Sequence, residues 1–249
     1  MDKQYYKDYY HLERQHWWFT ARIKILEDQI KRLVSKKNIT ELSILNIGIA
    51  TGATTQMLEK FGKVTSLEYD KDCCEFVREK CKIDVVFGSM TELPFASESY
   101  DIVCAFDVVE HIEDDNTAIA ELKRVMKNDG DYILTVPAFM FMWSDHDVIN
   151  HHFRRYTRAN FKHLLQSNSL KIKYATYFNS LLFMPIAFVR VLQKLIVKPK
   201  VVKKSDFDGM NSTGIVNSLL RQVFLIEKPI LTSRIPLPFG ISILITGTK

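Results

Sequence analysis

Short apolar runs alternate with longer amphipathic stretches along most of the chain. Runs of four to eight residues rich in Val, Ile and Leu read as buried strands, and apolar positions three and four apart read as helices. Strands are predicted at Ile44 to Ile47, Val64 to Glu68, Ile83 to Phe87, Tyr100 to Phe106, Asp131 to Val136, Leu170 to Tyr177 and Gly240 to Gly247. A helical cap is predicted from Tyr5 to Val34, and further helices just after Gly52, at Lys71 to Lys82, at Thr117 to Lys127 with Gly130 breaking it, and at Arg158 to Ser167. An apolar helix from Leu181 to Val197 contains Pro185, and another helix runs from Gly214 to Glu227. Pro137 opens an insertion, Ala138 to Tyr156, and a polar, Lys-rich connection occupies Lys198 to Thr213. Strands alternating with helices predict an α/β fold, a mostly parallel sheet covered on both faces. The pattern divides into a cap (1–40), a core (41–180) and a helical insertion with the last core strand (181–249).

Composition adds little to that picture and charge adds more. With 47% hydrophobic and 25% charged residues, the chain is ordinary globular material. The polar opening Met1-Asp2-Lys3-Gln4 has no signal-peptide core behind it, which predicts a cytoplasmic protein. Cys73, Cys74, Cys81 and Cys104 fit neither a zinc spacing nor a disulfide framework. The net charge of +5 hides an asymmetry: twelve Lys and Arg and no acid lie between Val148 and Ser205, leaving the remainder net acidic. That basic segment is expected to face an anion, and the apolar helix followed by Arg190, Lys194, Lys198, Lys200, Lys203 and Lys204 is expected either to pack or to rest on an anionic membrane surface. Its longest unbroken apolar run, Leu181 to Val189, is too short to span a bilayer.

Candidate chemistry begins where the first strand runs into Gly48-x-Ala50-x-Gly52. Glycine lets backbone N–H groups approach a ligand closely and tolerates positive φ, so a strand–turn–helix of this composition is a nucleotide-binding turn. Glu68 follows at the end of the next strand, at the spacing of an acid that takes both ribose hydroxyls.

The ordered motifs Leu45-Asn46-Ile47-Gly48-Ile49-Ala50-Thr51-Gly52, Glu68, Gly88-Ser89-Met90 and Asp107-x-x-Glu110-His111 resemble those of the class I S-adenosylmethionine (SAM) methyltransferases. The resemblance implies a doubly wound, mostly parallel seven-stranded, Rossmann-like sheet and SAM as cofactor. It places Asn46, Gly48, Ala50 and Gly52 in the cofactor turn, Glu68 on the ribose, Tyr69 against the adenine, Ser89 and Met90 at its edge and Phe106 beside the methionine portion. Asn46 stands where the family usually has Asp, and Ala50 where it has Gly. Triplets similar to Asp107-x-x-Glu110-His111 hold a metal in ubiquinone-biosynthesis O-methyltransferases, but many methyltransferases carry the Glu-His pair without one, and no metal is expected here.

The insertion, with Trp143-Ser144-Asp145-His146-Asp147 and His152-Phe153-Arg154-Arg155-Tyr156, and the aromatic segment His16-Trp17-Trp18-Phe19 resemble a bacterial and archaeal methyltransferase subgroup whose members often lie near polysaccharide and glycolipid genes. His146 and His152 with Asp147 read as a base and its orienting carboxylate, His111 as the alternative base. Arg154 and Arg155 suit a phosphate or carboxylate, with Trp143 and Tyr156 beside the acceptor. Trp17, Trp18 and Phe19 are expected mainly to pack the cap. The expected activity is methyl transfer to an oxygen, or else a nitrogen, of a small or lipid-linked acceptor. An RNA methyltransferase, a non-catalytic SAM-binding protein and a nicotinamide oxidoreductase are the alternatives; nucleic acid is disfavoured because no Pro-Pro-Tyr-type tetrapeptide or Pro-Cys nucleophile is present.

Overall fold

The computed structural model describes residues 3–37, 41–196 and 214–249. In chain order the elements are α1 (Lys3–Gln15), α2 (Trp17–Val34), β1 (Ser43–Ile47), α3 (Ala53–Leu58), β2 (Lys63–Glu68), α4 (Lys71–Cys81), β3 (Val85–Phe87), β4 (Tyr100–Phe106), α5 (Asp115–Val125) and β5 (Met126–Pro137). They continue with α6 (Asp145–Ile149), α7 (Arg158–Ser167), β6 (Lys171–Phe178), α8 (Phe183–Ile196), α9 (Ile215–Leu225), α10 (Lys228–Thr232) and β7 (Ser242–Thr248). The strands form a seven-stranded sheet in the order β3-β2-β1-β4-β5-β7-β6. The first five pair in parallel, and β7 runs antiparallel between β5 and β6. This is the doubly wound, mostly parallel sheet that the alternation predicts.

Successive residues of a strand point to opposite faces, and the core divides accordingly. Leu45, Val103, Ala105 and Leu134 meet Ile119, Leu122 and Phe161 on one face. Ile44, Ile102, Cys104 and Ile133 meet Ile25, Leu26 and Ile30 of α2 and Phe224 of α9 on the other. All seven residues of β4 are buried, as a central parallel strand requires.

Several local predictions need correction. The cap is two helices: His16 takes an extended conformation and its Nδ1 accepts the Trp18 N–H as an N-cap. Asn217 of α9 holds the break open, accepting from the Trp17 N–H at 2.7 Å and donating to the Gln15 carbonyl at 3.0 Å. The helix predicted at Thr117 to Lys127 starts and ends earlier, because Asp114 caps it and Met126 already pairs with Tyr100 in the sheet. The insertion contains a 3-10 turn at Met140–Met142 and the one-turn α6. Helix α10, with Pro229 in its first turn, was not predicted. The Lys198 to Thr213 connection lies outside the described residues.

Candidate active site

β1 and β4 are neighbours whose connections leave in opposite directions along the sheet, the crevice where open α/β sheets bind ligands. A cleft of about 1830 Å³ opens there, bounded by the turn after β1, the end of β2, the segment after β4, the insertion, α1, α2 and part of α8. Small-molecule pockets are typically about 300–1,000 Å³, so this cleft has room for a cofactor and a second ligand together.

The side expected to take a cofactor is built from backbone. Gly48 has φ +69°, and a Cβ there would lie 2.4 Å from Val108 Cγ2, so the turn closes against the segment after β4 only with glycine. Gly52, φ +86°, caps α3, and Ala50 holds φ +47° although alanine rarely does. Glu68 is held by this turn: Oε2 accepts from Ala50 N at 3.0 Å, and Oε1 from Tyr69 N at 2.9 Å and Asp70 N at 3.2 Å. Burial pushes its pKa up, and these three donors pull against the shift. A carboxylate offers about four acceptor sites, so capacity remains for a ligand hydroxyl. Exposed Tyr69 stacks on Phe87, with centroids 6.3 Å apart, at the mouth. Tyr69, Ser89, Met90 and Phe106 line the cleft. Asn46 does not: its buried Nδ2 donates to Thr54 and Thr55 Oγ1, both at 3.0 Å, fastening β1 to the first turn of α3. Among the expected cofactor residues, Asn46 is thus a fastener behind the turn.

The cap covers this floor. Buried Glu13 accepts from Thr51 Oγ1, and Arg14 donates to the Thr51 carbonyl at 3.2 Å. Arg22 of α2 reaches Asp107 Oδ2 at 2.7 Å and Thr135 Oγ1 at 2.9 Å, with its guanidinium 4.9 Å from the Trp18 ring centroid. Thr135 also donates to Asp107 Oδ1 at 2.9 Å. Asp107 is therefore the anchor of the cap. Trp17 and Phe19 are buried and Trp18 is half-buried, and all three also line the cleft. Glu13 and Arg22 carry no spacing signal in the sequence, because their partners are remote in the chain.

The insertion supplies the other wall. The two places read as alternative bases form one cluster: the His111 and His152 rings are 4.4 Å apart at 87°, and His146 and His152 are 6.0 Å apart. Asp147, fully buried, accepts from His152 Nδ1 at 2.8 Å, Arg155 Nε at 2.7 Å, Arg155 Nη2 at 3.0 Å and Ser144 N at 2.8 Å. Despite burial, these hydrogen bonds and the guanidinium hold its pKa well below the usual carboxylate range. With its Nδ1 turned to a permanent carboxylate, His152 has Nε2 left for other partners. His146 is held by Asn150 Nδ2 at 3.2 Å. Desolvation and the neighbouring His152 bring the His111 pKa down to about 4. Glu110, fully buried beside them, is pushed well above the usual carboxylate range by burial and by Asp107.

Arg154, Arg155 and Tyr156 do not form the expected anion site. Arg154 pairs with Asp115 at 2.8 Å and donates to the Glu113 carbonyl, Tyr156 OH donates to Asp115 Oδ2 at 2.7 Å, and Arg155 is buried on Asp147. Of the other basic residues in the acid-free segment, Lys173 pairs with Asp131 at 2.6 Å, and Arg158 donates to the Leu237 carbonyl at 3.1 Å and covers Tyr177. These described charges are held by partners within the fold, while Arg190 lines the cleft and Lys198, Lys200, Lys203 and Lys204 lie outside the described residues. Trp143 does line the cleft.

Comparison with known proteins agrees with this geometry. The family described as "Methyltransferase domain" matches residues 45–134. A Mycolicibacterium smegmatis protein described as a "probable S-adenosylmethionine-dependent methyltransferase" is 24% identical over 128 residues, 51% of this chain and 48% of that one. The chain thus spans about half the length of this relative. Among solved structures, a Thermotoga maritima SAM-dependent methyltransferase superposes with a TM-score of 0.58 at 16% identity, covering 99% of this chain and 95% of that one. The Streptomyces coelicolor geranyl diphosphate C-methyltransferase, solved with Mg²⁺, geranyl diphosphate and S-adenosyl-L-homocysteine (SAH), gives 0.53 at 14% identity and covers 88% and 79%. Residues 45–134 thus match the methyltransferase-domain family, whose members named here are SAM-dependent, and the chain has the fold of solved SAM-dependent methyltransferases.

Proposed function

We propose that the protein transfers the methyl group of SAM to an oxygen, with nitrogen as the second choice, of a small or lipid-linked acceptor bound between the glycine turn and the histidine cluster. The observation that carries this reading is His152, oriented by a saturated, buried Asp147 and facing the same cleft as the turn and Glu68. The cofactor would be held by the Gly48–Gly52 backbone, Glu68, Tyr69, Ser89, Met90 and Phe106, and supplies an electrophilic methyl group. The chain's own part is to align the acceptor, exclude water and receive its proton. Alignment and desolvation are the larger contributions to such a displacement. An imidazole of the His111–His146–His152 cluster takes the proton, and Asp147 stabilises the imidazolium. Trp18 and Trp143 line the cleft, and the Arg22–Asp107 pair ties the cap to the segment after β4.

The lipid-linked class is favoured by α8. Pro185, Ile186 and Val189 line the cleft, while Met184, Phe188 and Leu192 of the same helix are exposed. Among the described residues no helix is long and apolar enough to cross a membrane, so contact would be at the surface. Calorimetry with SAM and with NADH, then transfer of labelled methyl to cell extracts split into lipid, small-molecule and RNA fractions, tests the reading. Binding of SAM with label in an alkali-stable lipid or small-molecule product supports it. Label in RNA alone, or binding of NADH and not SAM, defeats it. Salt-sensitive sedimentation with anionic vesicles tests the surface contact, which no vesicle binding would remove.

A further inference from the structure

Within the histidine cluster, Glu110 is fully buried, yet neither carboxylate oxygen has a hydrogen-bond partner among the described residues. An isolated buried carboxylate costs several kcal/mol unless a cation or donors compensate it, and a base built from His152 and Asp147 leaves it unexplained. Glu110 lines the cleft, and one of its oxygens lies with one nitrogen each of His111 and His152 in a group whose members are all within 4.8 Å of one another. We infer that Glu110, His111 and His152 form a binding site for a divalent cation at the acceptor end of the cleft.

Three features of the surroundings fit a ligand set. His152 donates Nδ1 to Asp147, which leaves Nε2 for a metal in the carboxylate–histidine–metal arrangement that fixes ring orientation. Asp147 is itself immobilised by Arg155 and Ser144. His111 interacts with the Asn150 backbone, so its ring too is oriented from outside the group. The site differs from the Asp107-x-x-Glu110-His111 triplet, because Asp107 is taken up by Arg22 and Thr135 and the third ligand comes from the insertion. Two imidazoles and one carboxylate suit Zn²⁺, Mn²⁺, Fe²⁺ or Co²⁺ better than Mg²⁺ or Ca²⁺, which prefer oxygen donors. Three protein ligands leave coordination positions open toward the cleft.

The use of the site rests on the reading of the cleft as a methyl-transfer centre. An acceptor hydroxyl on the cation would lose its proton more readily, and with His152 as a ligand that proton passes to His146, the remaining imidazole of the cluster.

The test uses untagged protein freed of metal with a chelator. Co²⁺ is titrated by its visible absorption, Zn²⁺ by calorimetry, with Mg²⁺ for comparison, and SAH binding is measured in parallel. The expectation is one Co²⁺ or Zn²⁺ per chain with much weaker Mg²⁺. Glu110→Gln and His111→Ala should each weaken Co²⁺ by at least the roughly 10–100-fold that loss of an outer hydrogen-bond partner costs, with SAH binding kept. Wild-type protein that binds SAH and no Co²⁺ or Zn²⁺, variants that bind them like wild type, or equal affinity for Mg²⁺ would each overturn the site. Cation binding without SAH binding would leave the site standing and defeat the methyltransferase reading.

Discussion

The two walls of the cleft are built on different principles. The cofactor wall is a strand, a turn and a helix start contiguous in sequence, with backbone N–H groups gathered on one carboxylate, Glu68. The acceptor wall is assembled from side chains of three remote segments: Arg22, the stretch from Asp107 to His111, and the insertion with His146, Asp147, His152 and Arg155. A backbone-built wall tolerates change in most side chains and depends on a few conformations. A side-chain-built wall depends on charge pairs in which each removed partner exposes the other to desolvation without compensation. The first suits a constant cofactor, and the second a cleft adapted to one acceptor.

The sharpest way to break the comparison is at His152. His152→Ala should lower turnover by about 10²–10⁴-fold while leaving SAH affinity unchanged, because the histidine touches only the acceptor wall; labelled-methyl transfer and calorimetry read the two halves. A parallel loss of SAH binding would mean that the walls are one unit.

Next comes Asp147→Ala, which leaves the Arg155 guanidinium buried without its carboxylate. Breaking a buried pair in this way costs about 3–5 kcal/mol, to be seen as a lower urea midpoint. A midpoint close to wild type would show that Arg155 finds water and that the insertion is softer than its ion pairs imply.

His16 offers a pH test of the cap. Burial lowers its pKa from 6.5 to about 4. Between those values the unfolded chain binds more protons than the folded one, so stability falls as pH drops from 6.5 toward 4, by up to about 3 kcal/mol in total. His16→Asn keeps a capping acceptor and should flatten that part of the stability–pH curve. A variant with an unchanged slope would place the acid sensitivity elsewhere.

Smallest is the effect expected on the cofactor wall. Glu68→Ala removes charge-assisted hydrogen bonds worth about 1.5–3 kcal/mol, so SAM should bind about tenfold to a hundredfold more weakly, with vesicle binding unaffected. Wild-type affinity in the folded variant would take Glu68 out of the site.

The order of strands and helices, the Gly48–Gly52 turn and the place of Glu68 were all determined by residues close together in the chain, and could be read from spacing alone. A run of buried apolar positions can satisfy its backbone only in a sheet or helix, and a turn with positive φ at Gly48 and Gly52 announces itself by composition. On the acceptor wall the spacing announced Asp147 beside His152, but the other pairings had no such signal. Arg154 and Arg155 look alike in sequence, yet both are taken up by internal carboxylates; Asn46 sits in the cofactor motif but fastens α3; and Glu13, Arg22 and Glu110 gain their importance only from what lies opposite them. Ion pairs and desolvation depend on distance in space and on exclusion of water, which are set when remote segments pack. Sequence therefore determined the floor proposed for the cofactor, and tertiary structure decided which charges are taken up by partners inside the fold.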